Sequence, residues 1–330
     1  MLREFAQKRI LLTGASGFVG RHLFHTLRAA GCDVRCVSRN LERARRSHPD
    51  RNWVRLDMDD PTSVKSALEG CSAAYYLIHG MSDGTDYEAR EARSAERFAT
   101  AAQQMGLQRI VYLGGVQPAG PPSRHLRSRL QTGSMLRQGA VPTIELRAAM
   151  VIGQGGSSWE IVRDLSVRLP AMVLPKWLQN RSQPIAIADV VFALFAALAL
   201  PDAMAGVYDL PGPESISHRA LLRRVATIYG HMPPIMIDIP VLTPTISSYW
   251  ITLVTRANGK LAQELVQGLT SDYDRLMTVD PSIVDRSTVR RFEEAGITNL
   301  LVQPWQIADQ RLSQDDKSRL VAEFAERVIA

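Results

Sequence analysis

Cysteine is scarce in this 330-residue chain, with Cys32, Cys36 and Cys71 making up the whole set. An odd, sparse set argues against a disulfide framework and for a reducing compartment. Cys32 and Cys36 fall on or beside one strand, where four residues span roughly 13 Å, too far for a bridge or shared metal ligation. His22 and His25 are close on a helix but lack a third ligand, so no metal site is expected. Long apolar runs are missing too. The longest, 190–201, has 12 residues, whereas a membrane-spanning helix needs ~20. The first seven residues are polar and carry no secretory-leader pattern. The expectation is a soluble, cytoplasmic protein. Paired carboxylates, a nucleophile elbow and a P-loop lysine are also absent, which argues against hydrolysis and phosphoryl transfer.

Lysine is rare as well, at five of the 39 basic residues behind a net charge of +6. The arginines are scattered and often lie beside acids, as in Glu88-Ala89-Arg90-Glu91-Ala92-Arg93. That pattern reads as a solvated surface, and no nucleic-acid partner is expected. Contact with a membrane surface or a protein complex is left open.

What the chain does have is regular alternation. Strand-like apolar runs occur at 10–13, 34–38, 53–56, 73–78, 110–113 and 143–146. Helical patterns at 18–30, 41–46, 62–68, 87–105 and 124–137 separate them. Buried strands alternating with helices predict an α/β fold with a doubly wound parallel sheet. After Val151 the rhythm changes. A loop at 153–158 precedes a helix to about Arg168, followed by a proline-punctuated stretch. Asp189 reads as the N-cap of a helix over 190–200, and 207–210 as a further strand. Shorter helices are expected near 219–229, 246–255 and 261–269. This gives a dinucleotide-binding core over 1–152, to which 184–210 returns. A smaller, mostly helical lobe of 153–183 and 211–305 forms a substrate lid, and 306–330 a helical tail.

The chemistry begins at Thr13-Gly14-Ala15-Ser16-Gly17-Phe18-Val19-Gly20, where G-x-x-G-x-x-G follows a strand and opens a helix. Gly14 permits the tight turn, Gly17 lets backbone amides approach a pyrophosphate, and Gly20 allows close helix–strand packing. The helix N-terminus adds partial positive charge for phosphates. With this turn go Ser16, Phe18 and Val19 as cofactor contacts. The second strand ends Val37-Ser38-Arg39-Asn40. An acid there would bond a ribose 2′-hydroxyl. Arg39 instead suits a 2′-phosphate, with Ser38 as a second donor, so NADP(H) is favoured over NAD(H). Asp57, followed by Met58, is placed either to accept from the adenine amino group or to cap the next helix. Leu77, Ile78 and His79 end the fourth strand, where the backbone should pass beneath the ribose and nicotinamide. His79 either touches the cofactor or simply packs.

These residues together resemble the short-chain dehydrogenase/reductase superfamily, in its extended and atypical, NmrA-like branch of sugar-epimerase-like proteins. Ala74 to Met81, Ile110 to Gly115, His125 to Arg129, Glu145 to Ala148, Gln183 to Val190, and Leu242-Thr243-Pro244 with Ser247 to Trp250 are similar to motifs of that branch. The likeness covers roughly residues 8 to 280. The superfamily's catalytic pair, Tyr-x-x-x-Lys, is missing, since none of the eight tyrosines has lysine four residues on. Its serine position is held by Gly114 or Gly115. What the resemblance implies for the pair is His125 and Arg129, at the same i, i+4 spacing. A neighbouring guanidinium lowers an imidazole's pKa, so His125 should be mostly neutral near pH 7, while Arg129 could bond the nicotinamide ribose. Alternatively, His125 caps or packs the helix. Gly153 to Ser158, Trp159, Trp177 and 246–253 are expected to line the substrate side, and their apolar walls fit a quinone or lipid-like carbonyl. Taken one by one, the same residues suit a core between lobes better. Two functions remain: an NADP(H)-dependent oxidoreductase or isomerase with non-standard acid–base residues, or a non-catalytic NADP(H) sensor or assembly factor. NmrA-like regulators and an accessory subunit of respiratory complex I are of the second kind.

Overall fold

The computed structural model describes residues 7–79, 86–118 and 120–239. The helices expected at 246–255 and 261–269, the tail at 306–330, Gly80, Met81 and the aromatic segment around Trp250 lie outside the described residues, as does the Trp177 side chain.

Seven parallel strands form the main sheet. They are β1 (Arg9–Leu12), β2 (Asp33–Ser38), β3 (Asn52–Arg55), β4 (Ala73–Tyr76), β5 (Arg109–Gly115), β6 (Thr143–Ala148) and β11 (Gly206–Leu210). Their order is β11-β6-β5-β4-β1-β2-β3. The chain first winds outward through β2 and β3, then crosses to β4 and winds the other way. The reversal lies between β1 and β4: β1 is flanked by β2 and β4, with Leu12 beside Cys36 on one side and Tyr75 on the other. A doubly wound sheet opens its ligand crevice at the carboxyl ends of the strands at such a switch point.

The apolar strands are buried on both faces, as a parallel sheet requires. Alternation sorts their side chains. Ile10, Leu12, Val111 and Leu113 join one core with α1 (Phe18–Ala29) and α7 (Ile187–Ala197). Leu11, Ile110 and Tyr112 join the other, with α3 (Pro61–Leu68), α4 (Tyr87–Gln104) and α5 (Arg124–Gln138). The short α2 (Leu41–Ser47) is capped by Asn40, whose side chain accepts from Arg43 N–H at 2.9 Å. Helix α1 buries Gly20, Leu23, Phe24 and Leu27, one stripe of an amphipathic helix. Helix α7 is tied to the sheet at two points. The Tyr75 hydroxyl donates to the Leu194 carbonyl at 3.0 Å. Buried Arg109 donates to the carbonyls of Ala197 and Leu198 at 3.2 and 3.3 Å, and also to Leu200 and Asp202, so a cation closes the negative end of α7.

Two expectations are corrected here. The helix over 190–200 begins earlier, at Ile187, with Ala186 as N-cap and no side-chain cap. The two-residue β10 (Ile185–Ala186) runs directly into it, and Asp189 sits inside the first turn, where its charge faces the helix dipole. The fourth strand ends at Tyr76 and not at Ile78. The Leu77 N–H leaves the ladder and donates to Thr13 Oγ1 at 2.7 Å, which turns the chain across the mouth of the glycine turn.

Beyond β6, a two-stranded ribbon pairs β7 (Val151–Ile152) with β10. Helices α6 (Ser157–Arg168) and α8 (His218–Ile228) pack around Val162, Leu221, Leu222 and Val225, a separate small core with Trp159 at its edge. Two further ribbons flank it: β8 (Ala171–Pro175) with β13 (Ile235–Ile239), and β9 (Arg181–Ser182) with β12 (Ile216–Ser217).

Candidate functional site

The glycine turn sits where β1 meets α1, and its three glycines do three different things. Gly14 has φ +62°, and a Cβ there would lie 2.4 Å from the Leu77 carbonyl oxygen. A Cβ on Gly20 would lie 2.2 Å from the Gly14 carbonyl oxygen, so the first turn of α1 rests directly on the loop. Gly17 is exposed, and a Cβ there would meet only the Gly14 oxygen at 3.1 Å. Its outer side is open. Gly17 is also the N-cap of α1, and no side chain caps that end. First-turn amides without a side-chain partner, beside a glycine that keeps the approach clear, form a cradle that fits a pyrophosphate. Thr13 locks the turn from beneath: its Oγ1 donates to the Tyr75 carbonyl at 2.9 Å.

The adenosine flank follows. Ser38 Oγ donates to the Asn40 carbonyl at 3.1 Å, closing a turn at the end of β2. Arg39 is exposed and, among the described residues, has no hydrogen bond or ion pair. Asp57 is not the cap of α3. That role belongs to Asp60, which accepts from Thr62 N–H at 3.0 Å with Pro61 as the first helical residue. Asp57 Oδ1 instead accepts from Asp59 N–H at 3.1 Å. Helix α4 holds this loop: Arg97 Nη1 donates to the Met58 carbonyl at 3.2 Å and to Asp59 at 3.1 Å. Ser16, Phe18 and Val19 line the turn itself, and Ile78 packs on the α3–α5 core.

At the other end of the crevice, His79 comes together with His125, Arg129 and Tyr112. The His79 ring is 6.1 Å from that of Tyr112, edge to face. Burial pushes His79 well below the usual imidazole range, with Arg129 and then His125 adding repulsion. His125 lies in the first turn of α5, which is capped by Ser123 and not by His125. Burial first and the Arg129 guanidinium second lower its pKa to about 4. The expected cause is therefore present but second in size. Both imidazoles are neutral at pH 7, so they can accept or share a hydrogen bond but hold no ready proton. Arg129 Nη2 donates to the carbonyls of Leu113 and Gly114 at 3.2 and 3.1 Å, which clamps α5 to the end of β5.

The same region explains the missing serine. A Cβ at Gly114 would stand 3.0 Å from Glu145 Oε1, and one at Gly115 would stand 2.7 Å from Leu126 Cδ1. Glu145 is fully buried between Arg137 and Arg147. A serine at Gly114 would need the pinned carboxylate to give by a few tenths of an ångström, and one at Gly115 would need the Leu126 side chain to turn away. Sequence reasoning quoted Glu145 only as part of a motif and missed its buried role, and it missed Arg97 and Arg51. Each is a charged residue inside or beside an apolar element, and nothing in one sequence says which such residues turn inward.

Comparison with known proteins agrees with this geometry. Residues 14–166 match the family described as NAD(P)H-binding. A 3-beta-hydroxysteroid dehydrogenase of Mycolicibacterium neoaurum is 31% identical over 114 residues, 32% of this chain and 31% of that protein. The chain matches such curated relatives over about a third or less of their own length. Among solved structures, a nucleoside-diphosphate-sugar epimerase of Staphylococcus aureus has a TM-score of 0.63 at 17% identity, covering 91% of this chain and all of that one (100%). The triphenylmethane reductase of Citrobacter sp. complexed with NADP(H) has a TM-score of 0.64 at 15% identity, covering 84% and 95%. These structural likenesses establish the Rossmann fold shared by short-chain dehydrogenase-like and epimerase-like proteins.

Proposed function

We propose, on the premise that the chain carries an NAD(P)H-binding domain, that it is an NADP(H)-dependent oxidoreductase acting on an apolar carbonyl or quinone. The observation that carries this is the open, uncapped start of α1 at Gly17, with exposed Arg39 at the end of β2 unpaired among the described residues. A guanidinium at that strand end suits a 2′-phosphate where an acid would repel it. Bound NADP(H) would supply or take hydride. The chain's own part is to bind the pyrophosphate on the α1 amides, to fix the β4–β5 strand ends through Thr13 and Arg129, and to present His79 and His125 as neutral imidazoles.

Neutral imidazoles narrow the substrate. A saturated ketone becomes a strongly basic alkoxide and needs an acid at the moment of transfer. A quinone or conjugated carbonyl yields a stabilised, weakly basic oxyanion, which water can protonate. Trp159, at the edge of the small apolar core beside α6, would offer such a ligand an aromatic wall. The hydroxysteroid named for one relative is likewise a large apolar molecule.

Calorimetry of NADPH and NADH against wild type and Arg39→Ala tests the cofactor. NADPH should bind wild type more tightly, and the preference should collapse in the variant. Equal wild-type affinities would overturn the NADP(H) assignment. A panel of quinones, enones and simple ketones then tests the reaction, with quinones and enones turned over first. A second reading, a non-catalytic NADP(H) sensor, is favoured by the same pair of neutral histidines and by the blocked serine position. Tight NADPH binding with no turnover across that panel would decide for it.

A further inference from the structure

We infer that Arg51 is a second cation of the dinucleotide site, selective for a phosphate on the adenosine ribose; the inference rests on the NADP(H) reading above. Arg51 stands immediately before β3 and is nearly buried, its side chain 2% exposed. Its Nη1 donates to the Ala15 carbonyl at 2.7 Å, in the middle of the glycine turn. Its guanidinium lies over the Phe24 ring at 4.4 Å, and its Nε is buried without a hydrogen-bond partner.

A buried guanidinium calls for a counter-charge. The acid paired with it is Asp50, whose carboxylate is 3.9 Å from Nε and 58% exposed. That is a loose, solvated pair. The neighbouring Cys36 thiol offers no charge, since burial pushes its pKa up to about 12. Arg21 is close enough to repel. Among the described residues, little balances the positive charge that the fold holds behind the phosphate-binding turn.

Two features aim this charge at the adenosine flank. Strand β3 pairs with β2, so Arg51 reaches the turn from the β2 side of β1, from below the level of Ser38, which pairs with Arg55. The peptide between Ala15 and Ser16 is planar and trans, so its N–H points opposite to its C=O. With the carbonyl held inward by Arg51, the N–H of exposed Ser16 faces out. The guanidinium polarises that peptide and contributes its own field through low-dielectric protein, where charges are felt at longer range than in water. A 2′-phosphate arriving there meets Arg39 in front and Arg51 behind.

The test compares 2′,5′-ADP with 5′-AMP by calorimetry, because the two probes differ only in the 2′-phosphate. Wild type should favour 2′,5′-ADP. Arg51→Met should lower that preference at least tenfold while changing 5′-AMP affinity less than threefold, and Arg51→Lys should recover part of it. Asp50→Asn, at an exposed position that keeps the fold, should raise the preference two- to threefold by removing the loose counter-charge. It keeps the test decisive if the Arg51 variants do not fold. A wild type indifferent to the 2′-phosphate overturns both this inference and the NADP(H) reading. A selective wild type whose preference is unchanged in Arg51→Met overturns the inference alone, as does equal loss for both probes, which would make Arg51 only a brace. An unchanged preference in Asp50→Asn also overturns it.

Discussion

Replacing Gly17 and Gly20 in turn by alanine should separate binding from folding. Gly17 has φ −75° and ψ 174°, a conformation open to any residue, and its new Cβ would approach only the Gly14 oxygen at 3.1 Å. Alanine is a poorer N-cap than glycine, which makes the folding cost of Gly17→Ala about 1 kcal/mol. Gly20→Ala differs in kind. Its Cβ would stand 2.2 Å from the Gly14 oxygen and 2.9 Å from the Ala15 Cα, both backbone atoms that cannot rotate away. Pushing α1 off the turn costs up to about 3 kcal/mol, set against a helix-propensity gain of about 1 kcal/mol. The net loss of about 2 kcal/mol lowers Tm by about 4–8 °C in a unit of this size. Differential scanning fluorimetry and NADPH titration of both variants give the answer. Gly17→Ala should melt within about 4 °C of wild type and bind NADPH at least tenfold more weakly. A folded Gly17→Ala with wild-type affinity would show that the turn is not the phosphate cradle, and a Gly20→Ala as stable as wild type would refute the contact argument.

Gly133 sits inside α5, where alanine normally adds about 1 kcal/mol. Here Gly133→Ala should destabilise by at least about 1 kcal/mol in urea melts, because its Cβ would fall 2.3 Å from Glu145 Oε2, a carboxylate pinned between two arginines. Asp209, raised by burial from 3.8 to about 6 against the opposing pull of Arg147, binds its proton more tightly when folded. It therefore lowers stability as pH rises from 4 to 6, by at most about 3 kcal/mol, and Asp209→Asn should remove that component from stability measured across the window. His125, lowered from 6.5 to about 4, acts with the opposite sign: its stability is complete above pH 6.5 and is lost as pH falls toward 4. His125→Gln should protect the fold at pH 4.5 relative to pH 7.5, and an identical pH profile for variant and wild type would refute the burial of the imidazole.

Much of the fold was legible because its signals are local and repeated. The alternation of buried strands with amphipathic helices needs only hydrophobic period and turn residues, and six of the seven main strands fall on the runs that announced them in the first half of the chain. Boundaries failed where a tertiary contact intervened. Leu77 reads as strand until Thr13, 64 residues earlier, takes its N–H. Asp189 has the residue type of a cap, but the cap position is set by where β10 hands over to α7. Asp57 and Asp60 show the limit within one loop: both are aspartates before a helix, and only Pro61 at the first helical position marks the second as the cap.

The phosphate end and the reactive end of the crevice differ in legibility for a physical reason. Phosphate is bound by backbone amides, and a backbone that must approach closely leaves glycines in the sequence at fixed spacing. Proton transfer depends on side-chain pKa values, which are set by burial and by neighbours distant in sequence. His125 and Arg129 show the point. Their spacing was visible, and the direction of the shift could be argued from the guanidinium alone, yet burial is the larger cause. Gly114 and Gly115 carry the argument further. Read as sequence, they are a lost serine. In the structure they are the space required by Glu145 and Leu126. Glu145 is in turn held by Arg137 and Arg147, so the buried ion cluster and the absent hydroxyl are one feature. Restoring a serine at Gly114 would accordingly not restore a catalytic dyad. It would bring a Cβ within 3.0 Å of a buried carboxylate oxygen, and the protein would lose stability before it gained a proton relay.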